Sequence, residues 1–395
     1  MADLINIGML CVLCLYLRYR FAVPLAWAWL AFLAIPEVQI QLTSSYIDVP
    51  LNAAVTLALL VVLRMLVEPT ADQRADIAIA LLMLGIAAGS KYQMVPIALL
   101  TWAAIVLLAM RNPSSVKLKG RSIAFLVLSL AGMVVVLPKL LLNAVTFGNP
   151  FYPIAVAFGP IRLSGPEAMM QLTSISDAWL SWPGPVRWLA SVFEFDAFRG
   201  RPLPWTLGQA DVLQSSPSFR MGGYFGAYVL GAISLVVWSV WSTRAARYPA
   251  AMLTLISVLC AFLPLSHELR YYMFWMLMLV SITLVLVHSP LFVSLEQVNQ
   301  RRFAHALFAI AATSVILMTG GVYLRPDGPT LQDLLRETES TIARLPDGAT
   351  LCILNQDRRS FLYSSVFHPS HNYRTHLLWG DEADPECTVR LDLSR

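Results

Sequence analysis

Charged residues are scarce in this sequence: only 13% of its 395 residues are Asp, Glu, Lys or Arg, while 57% are hydrophobic and mean hydropathy is +0.64. Soluble domains carry about a quarter charged residues. The composition therefore excludes an ordinary soluble domain and predicts a polytopic membrane protein. The net charge of +4 is modest, and no nucleic-acid partner is predicted from it.

Two further absences narrow the chemistry. No histidines and cysteines stand at metal-binding spacing, and no glycine pattern of the Walker or dinucleotide type occurs, so ATP-driven chemistry has no support. Cys11, Cys14 and Cys260 lie in apolar runs and are predicted to be packing residues. Cys352 and Cys387 lie in a polar tail, where their pairing is left open.

Long apolar runs recur along the chain, and each predicts a membrane-spanning helix, although several are shorter than the ~20 residues that a straight span needs. They predict an all-α polytopic protein with about ten spans. The runs are Leu4–Leu17, Phe21–Ile35, Val49–Val67, Ile77–Gly89, Met94–Met110, Ile123–Phe147, Gly222–Trp241, Ala250–Leu265, Tyr271–Val287 and Ala304–Leu324.

Basic residues indicate the orientation of these spans, because cytoplasmic loops of membrane proteins carry an excess of Lys and Arg. One alternate set of loops is rich in them, and the other short loops hold only Lys91 and Arg270. We therefore expect Asn149, the loop 148–221 and the C-terminal tail to lie outside the cytoplasm, in a multi-pass protein of a bacterial inner membrane. The basic loops contain Arg18, Arg20, Arg64, Arg74, Arg111, Lys117, Lys119, Arg121, Arg244, Arg247, Arg301 and Arg302.

This orientation also places Met1 outside, with no signal peptide before it. Either the chain starts outside or an upstream helix is missing.

The loop 148–221 is too long to be a passive connection and is rich in aromatic residues. Such residues favour the membrane–water interface. The stretch "DAWLSWPGPVRWLASVFEFDAF" predicts an interfacial helix broken at Pro183-Gly184-Pro185. Two interpretations stay open: a structured loop without an active role, and a lid over a lipid-facing site.

The chain divides into a membrane domain, 1–324, and a small extracytoplasmic α/β appendage, 325–395. In the appendage, "LQDLLRETESTIARL" predicts a helix and Pro346-Asp347-Gly348 a turn, while "ATLCILN" and "FLYSSVF" predict two strands.

Two charged residues stand out at the predicted outer helix ends. Asp48 precedes a helix that Pro50 can open, so it is either a helix cap or a catalytic acid or metal ligand at the membrane surface. Lys91 is the only charge between two closely joined spans. It either snorkels to the interface or binds an anion.

Two further groups lie on the same predicted face. His267, Glu268 and Arg270 share a very short loop, where Arg270 either pairs with Glu268 or offers its planar fork to a phosphate. Asn149 and Tyr152 lie in "FGNPFYP", which either ends a helix or faces a substrate.

Together these residues bring one carboxylate, two cations, a histidine and an amide to one membrane face, and this set suits a phosphorylated lipid. The cations would hold the phosphate, and the acid would take a proton or bind a divalent cation, Mg or Mn. The phosphate ester of the donor would then drive the reaction without ATP.

The stretches "SSYIDVPLNAAVTLALLVVLR", "AAGSKYQMVPIALL", "NAVTFGNPFYPIAV", "FRMGGYFGAYVLG" and "HELRYYMFWML" occur in an order that resembles bacterial GT-C-type glycosyltransferases, over roughly residues 1–325. These integral-membrane enzymes use polyprenyl-phosphate sugars and include the lipid A aminoarabinose transferases and protein mannosyltransferases. The resemblance implies that Asp48 is the acid of the second outer loop and that Lys91 and Arg270 contact the donor phosphate. "GNPFYP" would then lead into a loop that covers the site.

One departure from that family concerns its best-known catalytic acid, which lies in the first outer loop. Only Met1-Ala2-Asp3 precedes the first span here. We therefore expect an N-terminally truncated chain, a misassigned start or a degenerate homologue.

Two other functions stay open. In an O-antigen polymerase or ligase the loop arginines Arg162, Arg187, Arg199, Arg201 and Arg220 would be essential and Asp48 would not. A non-enzyme, whether a transporter, a flippase or an inactive partner subunit, would show paired repeats or charges at mid-span. The sequence has no convincing repeat, and the acceptor and the sugar are not specified by it.

Overall fold

The computed structural model describes residues 2–42, 47–112, 121–152, 154–158, 161–163, 167–168, 182–193, 223–263, 266–292, 298–324, 331–354, 360–377 and 387–392. The chain is mostly helical. Its contacts divide it into two compact units, Met1–Arg325 and Pro326–Arg395.

Thirteen helices are described in the first unit. In chain order they are α1 Ala2–Phe21, α2 Leu25–Leu33, α3 Pro36–Leu42, α4 Asp48–Val67, α5 Arg74–Ser90, α6 Val95–Arg111, α7 Arg121–Val136, α8 Pro138–Phe147, α9 Gly184–Val192, α10 Gly226–Ser242, α11 Arg247–Phe262, α12 Phe274–His288 and α13 Val298–Tyr323.

The number of spans is smaller than the ten predicted. Among the described residues, four helical segments are long and apolar enough to cross a membrane, or up to six if each of two bent pairs counts as one span. Further apolar helices, Gly226–Ser242, Phe274–His288 and Ala304–Leu317, are shorter. The four segments are Leu4–Phe21, Asp48–Val67, Tyr92–Arg111 and Arg244–Phe262.

Proline accounts for both bends. Of the predicted span Phe21–Ile35, Phe21 ends α1 and only Leu25–Leu33 forms α2. Helix α3 begins at Pro36, directly after this span, and is turned by 93° from α2. The predicted span Ile123–Phe147 breaks at Pro138, with a bend of 52°. Proline lacks the backbone N–H that a continuous helix needs, and it disfavours helical geometry in the residue before it.

Helices α4 and α12 form the centre of the first unit. Nearly every residue of α4 is buried, and so is every residue of α12 from Phe274 to Val287. They pack against each other, and α4 also contacts α1, α5 and α6. The exposed apolar side chains, such as Leu107, Val145 and Leu317, lie on the outer helices. Residues at the ends of α4 are therefore held by neighbours on several sides.

The C-terminal end of α4 is held by an ionic cluster. Asp76, which is almost completely buried, accepts a hydrogen bond from Arg20 Nε at 2.8 Å and pairs with Arg64. Arg64 Nε also donates to Glu68 at 2.8 Å. These contacts join the last turns of α1 and α4 to the first turn of α5.

The loop 148–221 contains structure that the sequence analysis missed and some that it predicted. Three short strands, β1 Ile154–Phe158, β2 Ile161–Leu163 and β3 Glu167–Ala168, form a small sheet in the order β2-β1-β3. The predicted helix is present as α9 and begins at the predicted break. Its Trp188 packs edge-on against Trp275 of α12, with ring centroids 5.4 Å apart. Trp179 and Trp205 lie outside the described residues.

The second unit contains helix α14, Leu331–Ile342, and a parallel sheet in the order β5-β4-β6, made of β4 Ala349–Leu354, β5 Tyr373–Leu377 and β6 Val389–Asp392. Its core is formed by Ile342, Leu351, Ile353 and Tyr373. The predicted helix and the strand in "ATLCILN" are present.

One prediction in this unit was wrong. The stretch "FLYSSVF" forms two short 3₁₀ helices, Ser360–Tyr363 and Ser365–Phe367, rather than a strand. Only Leu362 of its apolar side chains is fully buried, so the stretch lacks the alternating pattern of a strand. Cys352 and Cys387, whose pairing the sequence left open, form a disulfide with a Cα–Cα distance of 5.6 Å.

Candidate functional site

Asp48 and Lys91 form an ion pair although they lie 43 residues apart. Asp48 is the first residue of α4 and its side chain is fully buried, whereas Lys91 follows the last residue of α5 with 20% of its side chain exposed. A buried carboxylate is costly without a compensating charge. Lys91 supplies that charge, and part of its side chain stays exposed.

Arg270 lies beside this pair, on the turn between α11 and α12. Its guanidinium carbon lies 4.7 Å from the centroid of the Tyr271 ring, and its Nη2 donates to the Tyr271 hydroxyl at 3.0 Å. Lys91 Nζ lies 5.3 Å from the centroid of the same ring. Lys91 and Arg270, the two cations that the sequence analysis selected, thus both lie at cation–π distance from the ring of Tyr271.

Glu268 and His267 share this turn and are both buried. Glu268 Oε2 lies 3.8 Å from Arg270 Nε, a long contact for an ion pair. Burial alone would lower the pKa of Arg270, but Tyr271, Glu268 and Asp48 together raise it, so the guanidinium stays charged. Burial also raises the pKa of Tyr271, against the effect of Arg270, which keeps its hydroxyl neutral.

Asn52 holds the turn of Arg270 against α4, and the sequence analysis missed it. Its Nδ2 donates to the carbonyls of Asp48 at 2.8 Å and Arg270 at 3.0 Å. Its Oδ1 accepts the backbone N–H of Phe274 at 2.8 Å. One fully buried amide therefore ties the start of α4 to the start of α12. Its position one turn after Asp48, in a helix that is otherwise apolar, is the signal that could have indicated it.

Glu37 is a second residue that the sequence analysis missed. It is buried at the start of α3, accepts a hydrogen bond from Gln41 Nε2 at 3.0 Å, and interacts electrostatically with Arg270 and Asp48. Its backbone N–H donates to the carbonyl of Gly223 at 3.0 Å. Glu37 therefore links α3 to the segment in which the long loop returns to the helices.

The returning segment also contacts the turn of Arg270. The hydroxyl of the buried Tyr224 donates to the carbonyl of Leu269 at 2.8 Å. Its ring stacks on Trp275 with centroids 6.0 Å apart. The backbone on both sides of Arg270 is thus fixed, since Asn52 binds its carbonyl and Tyr224 binds that of Leu269. A fixed backbone helps to hold the guanidinium of Arg270 in position for a ligand.

The described contacts of Asn149 and Tyr152 are local. Gly148 ends α8 in the left-handed region, with φ of +65°. Asn149 Oδ1 then accepts the N–H of Phe151 at 2.8 Å, and Asn143 Nδ2 donates to the carbonyl of Tyr152 at 3.1 Å. The "FGNPFYP" turn is therefore stabilised by its own residues.

A stacked ring pair completes the turn. The rings of Phe147 and Tyr152 lie parallel, with centroids 3.7 Å apart. The contacts within the turn are thus sufficient to explain why α8 ends there. That Asn149 and Tyr152 contact a substrate stays a prediction.

The divalent cation expected at Asp48 can be tested against the described side chains. Lys91 already occupies one carboxylate oxygen of Asp48. Within the described ranges, no three His, Cys, Asp or Glu residues form a group that could hold a metal ion. The residues present therefore do not fit a cation held by the protein alone.

The other oxygen of Asp48, Oδ2, is buried and has no hydrogen-bond partner among the described residues. A buried carboxylate oxygen in this state is well suited to accept a proton or a hydrogen bond from a ligand.

Comparisons with known proteins gave no assignment. No protein-family model matches the chain, and neither a curated protein nor a solved structure matches it significantly. The cluster of Asp48, Lys91, Arg270 and Tyr271, with its supports Asn52 and Glu37, is therefore interpreted from its own chemistry.

Proposed function

We propose that this protein is a membrane glycosyltransferase of the GT-C type, which moves a sugar from a polyprenyl-phosphate donor to an acceptor on the extracytoplasmic face of a bacterial inner membrane. The observation that carries the proposal is the placement of Lys91 and Arg270 at the ring of Tyr271, with Asp48 paired to Lys91. In the proposed orientation, which follows from the distribution of basic residues among the loops, the C-terminal unit is extracytoplasmic.

The donor phosphate is bound by the two cations. The guanidinium of Arg270 binds phosphate oxygens through parallel N–H donors, while Lys91 supplies a mobile point charge. The neutral Tyr271 hydroxyl adds a third donor. Because the site lies at the N-terminal end of α4, the polyprenyl chain would remain in the membrane while its phosphate reaches the cations.

The cations act by stabilising the leaving group. During transfer the bond between the sugar C1 and the phosphate oxygen breaks, and negative charge accumulates on the released polyprenyl phosphate. Fixed cations in a site with little water lower the free energy of such a transition state. Arg270 is well suited to this role, since the carbonyls on either side of its backbone are held by Asn52 and Tyr224.

Asp48 acts as the general base. An arriving phosphate attracts Lys91 away from Asp48 and frees the carboxylate, which then takes the proton of the acceptor hydroxyl as that oxygen attacks C1 from the opposite face. The configuration at C1 is inverted. No step of this proposal passes through a metal ion, because Asp48 and its described neighbours do not form a metal-binding group.

A transfer assay tests this function. The purified full chain in proteoliposomes is given radiolabelled polyprenyl-phosphate sugars in turn, with an extract of cell-envelope acceptors, and transfer is measured by chromatography. We expect Asp48→Asn, Lys91→Gln and Arg270→Gln each to abolish transfer while the protein stays folded. Lys139→Gln, a change at an exposed lysine of α8, is the control and should remain active. Full activity in all three site variants would contradict the proposal.

A further inference from the structure

The second unit carries an apolar surface that its own fold does not explain. Phe361 is 55% exposed, Val366 81% and Phe367 37%. The rings of Phe361 and Phe367 lie 5.9 Å apart in an edge-on arrangement. These three residues are called the aromatic patch below. Small units rarely leave adjacent large apolar side chains exposed unless the surface binds something.

The backbone beneath the aromatic patch is fixed. Leu362 points into the unit and is buried. The carbonyl of Tyr363 accepts hydrogen bonds from the Tyr373 hydroxyl at 2.8 Å and from Thr375 Oγ1 at 3.1 Å, which joins the patch to β5. The patch is therefore a preformed surface rather than a frayed end.

A second set of contacts joins the same stretch to helix α14. The imidazole of His368 is buried and contacts Glu339 Oε2 at 2.8 Å through Nδ1 and the carbonyl of Leu362 at 2.9 Å through Nε2. His371 Nε2 contacts the other oxygen of Glu339 at 2.9 Å. The outward position of the phenylalanines is thus set from both sides of the stretch.

We propose that the aromatic patch rests on a lipid bilayer surface. Arg358 and Arg359 stand three and two positions before Phe361 in the sequence, outside the described residues. Aromatic rings favour the boundary between headgroups and acyl chains, and arginines bind the phosphates of the headgroups. Aromatic and basic residues within ten positions, in a chain rich in apolar helices, match the chemistry of an anionic lipid surface.

The connection of the unit to the apolar helix α13 strengthens this choice of partner. Only residues 324–330 separate the two helices α13 and α14. A tethered module meets its surface at a high effective concentration, so a patch of three side chains is sufficient for stable contact. A free module of this size would need a second anchor. The inference does not depend on the proposed transferase function.

Lipid photolabelling tests the proposal on the full chain. The protein is placed in nanodiscs that contain a phospholipid with a diazirine near the headgroup, and labelled peptides are identified by mass spectrometry. We expect the peptide 358–367 to be labelled at least about fivefold more than the helix α14 peptide 331–344. Replacing phosphatidylglycerol by phosphatidylcholine should reduce this ratio, as should Arg358→Gln with Arg359→Gln.

Matched variants show whether labelling depends on the aromatic patch or only on the exposure of an apolar side chain. Phe361→Ser, Val366→Ser and Phe367→Ser combined should remove the excess labelling, whereas Leu331→Ser, at an exposed apolar residue of α14, should not. Slow hydrogen exchange in β4 like that of the unmodified chain shows that the unit of the triple variant is folded, and Val366→Ser alone serves if it is not. Equal labelling of the two peptides would overturn the proposal, and so would labelling that the variants leave unchanged or cross-links from the patch to the chain's own helices.

Discussion

Lys91 and Asp48 form an ion pair in which the side chain of Asp48 is fully buried and that of Lys91 is partly exposed. The two residues come from the end of α5 and the start of α4, so the pair closes one end of the helix bundle. Lys91 is therefore in a position to meet a ligand, whereas the buried carboxylate of Asp48 depends on Lys91 for its counter-charge.

The first prediction concerns the energy of this pair. Lys91→Met should destabilise the protein by about 3 kcal/mol or more, because it leaves a buried carboxylate without a counter-charge. Adding Asp48→Asn should recover part of that loss, since the unpaired charge is then removed. Reversible unfolding in mixed micelles measures both variants and the double variant. Strictly additive losses would show that the two side chains do not interact.

The second prediction concerns Asn52. Asn52→Ala leaves the Phe274 N–H and the Arg270 carbonyl without their partner, which should cost about 2–4 kcal/mol. It should also weaken phosphate binding, because the turn of Arg270 is then released. Ser281→Ala is the matched control, since the described hydrogen bond of that buried hydroxyl is to a carbonyl of its own helix. Equal losses of stability in the two variants would contradict the role assigned to Asn52.

The third prediction concerns Asn149. Asn149→Ala loses the oxygen that accepts the Phe151 N–H and should cost about 1 kcal/mol. Asn149→Asp keeps that oxygen but places a charge at a fully buried position, so it should cost at least as much. Neither change should alter the affinity for polyprenyl phosphate, because the described contacts of Asn149 lie within the turn. Thermal unfolding and a binding titration measure the two effects. A large loss of affinity without loss of stability would place Asn149 on the ligand, as first expected from the sequence.

The fourth prediction concerns acid stability of the C-terminal unit. Hydrogen bonds from His371 and His368 lower the pKa of Glu339 below its ordinary value. A carboxyl whose pKa is lower in the folded state stabilises that state above its unfolded pKa, about 4.3, and loses this contribution as pH falls further. The protection of α14 against hydrogen exchange, measured relative to the intrinsic exchange rate at each pH, should therefore fall as the pH drops below about 4.3.

Variants of two glutamates on the same helix test this assignment. Glu339→Gln should remove that pH dependence, while Glu337→Gln should retain it. Unchanged acid sensitivity in Glu339→Gln would assign the effect to other carboxylates.

Sequence reasoning predicted the meeting of Asp48 and Lys91 with Arg270, because alternating helix ends place these residues on one face. It missed Asn52 and Glu37, since a single polar residue in an apolar run does not show which neighbouring helix it faces. Their partners, Phe274 and Gly223, are far away in the chain, so only the packing of α4 and α3 reveals them.

The number of spans was overestimated for a different reason. Hydropathy measures how apolar a segment is, not whether it is straight or long enough. Pro138 interrupts one predicted span and Pro36 directly follows another, whose helix is only nine residues long. Helices α10 and α12 are apolar but short. The strand predicted in "FLYSSVF" is absent because this stretch lacks alternating burial: Phe361 and Phe367 stay exposed while Leu362 is buried.

The measurement that tests the central claim most directly is the binding of polyprenyl phosphate, without a sugar, to the purified full chain in nanodiscs. The account predicts saturable binding that weakens at least about tenfold in Arg270→Gln and in Lys91→Gln, since each removes a charge-assisted contact to the phosphate. Lys139→Gln should bind like the unmodified chain, and polyprenol, which lacks the phosphate, should not compete. Equal affinity for polyprenyl phosphate in all of these variants would contradict the account.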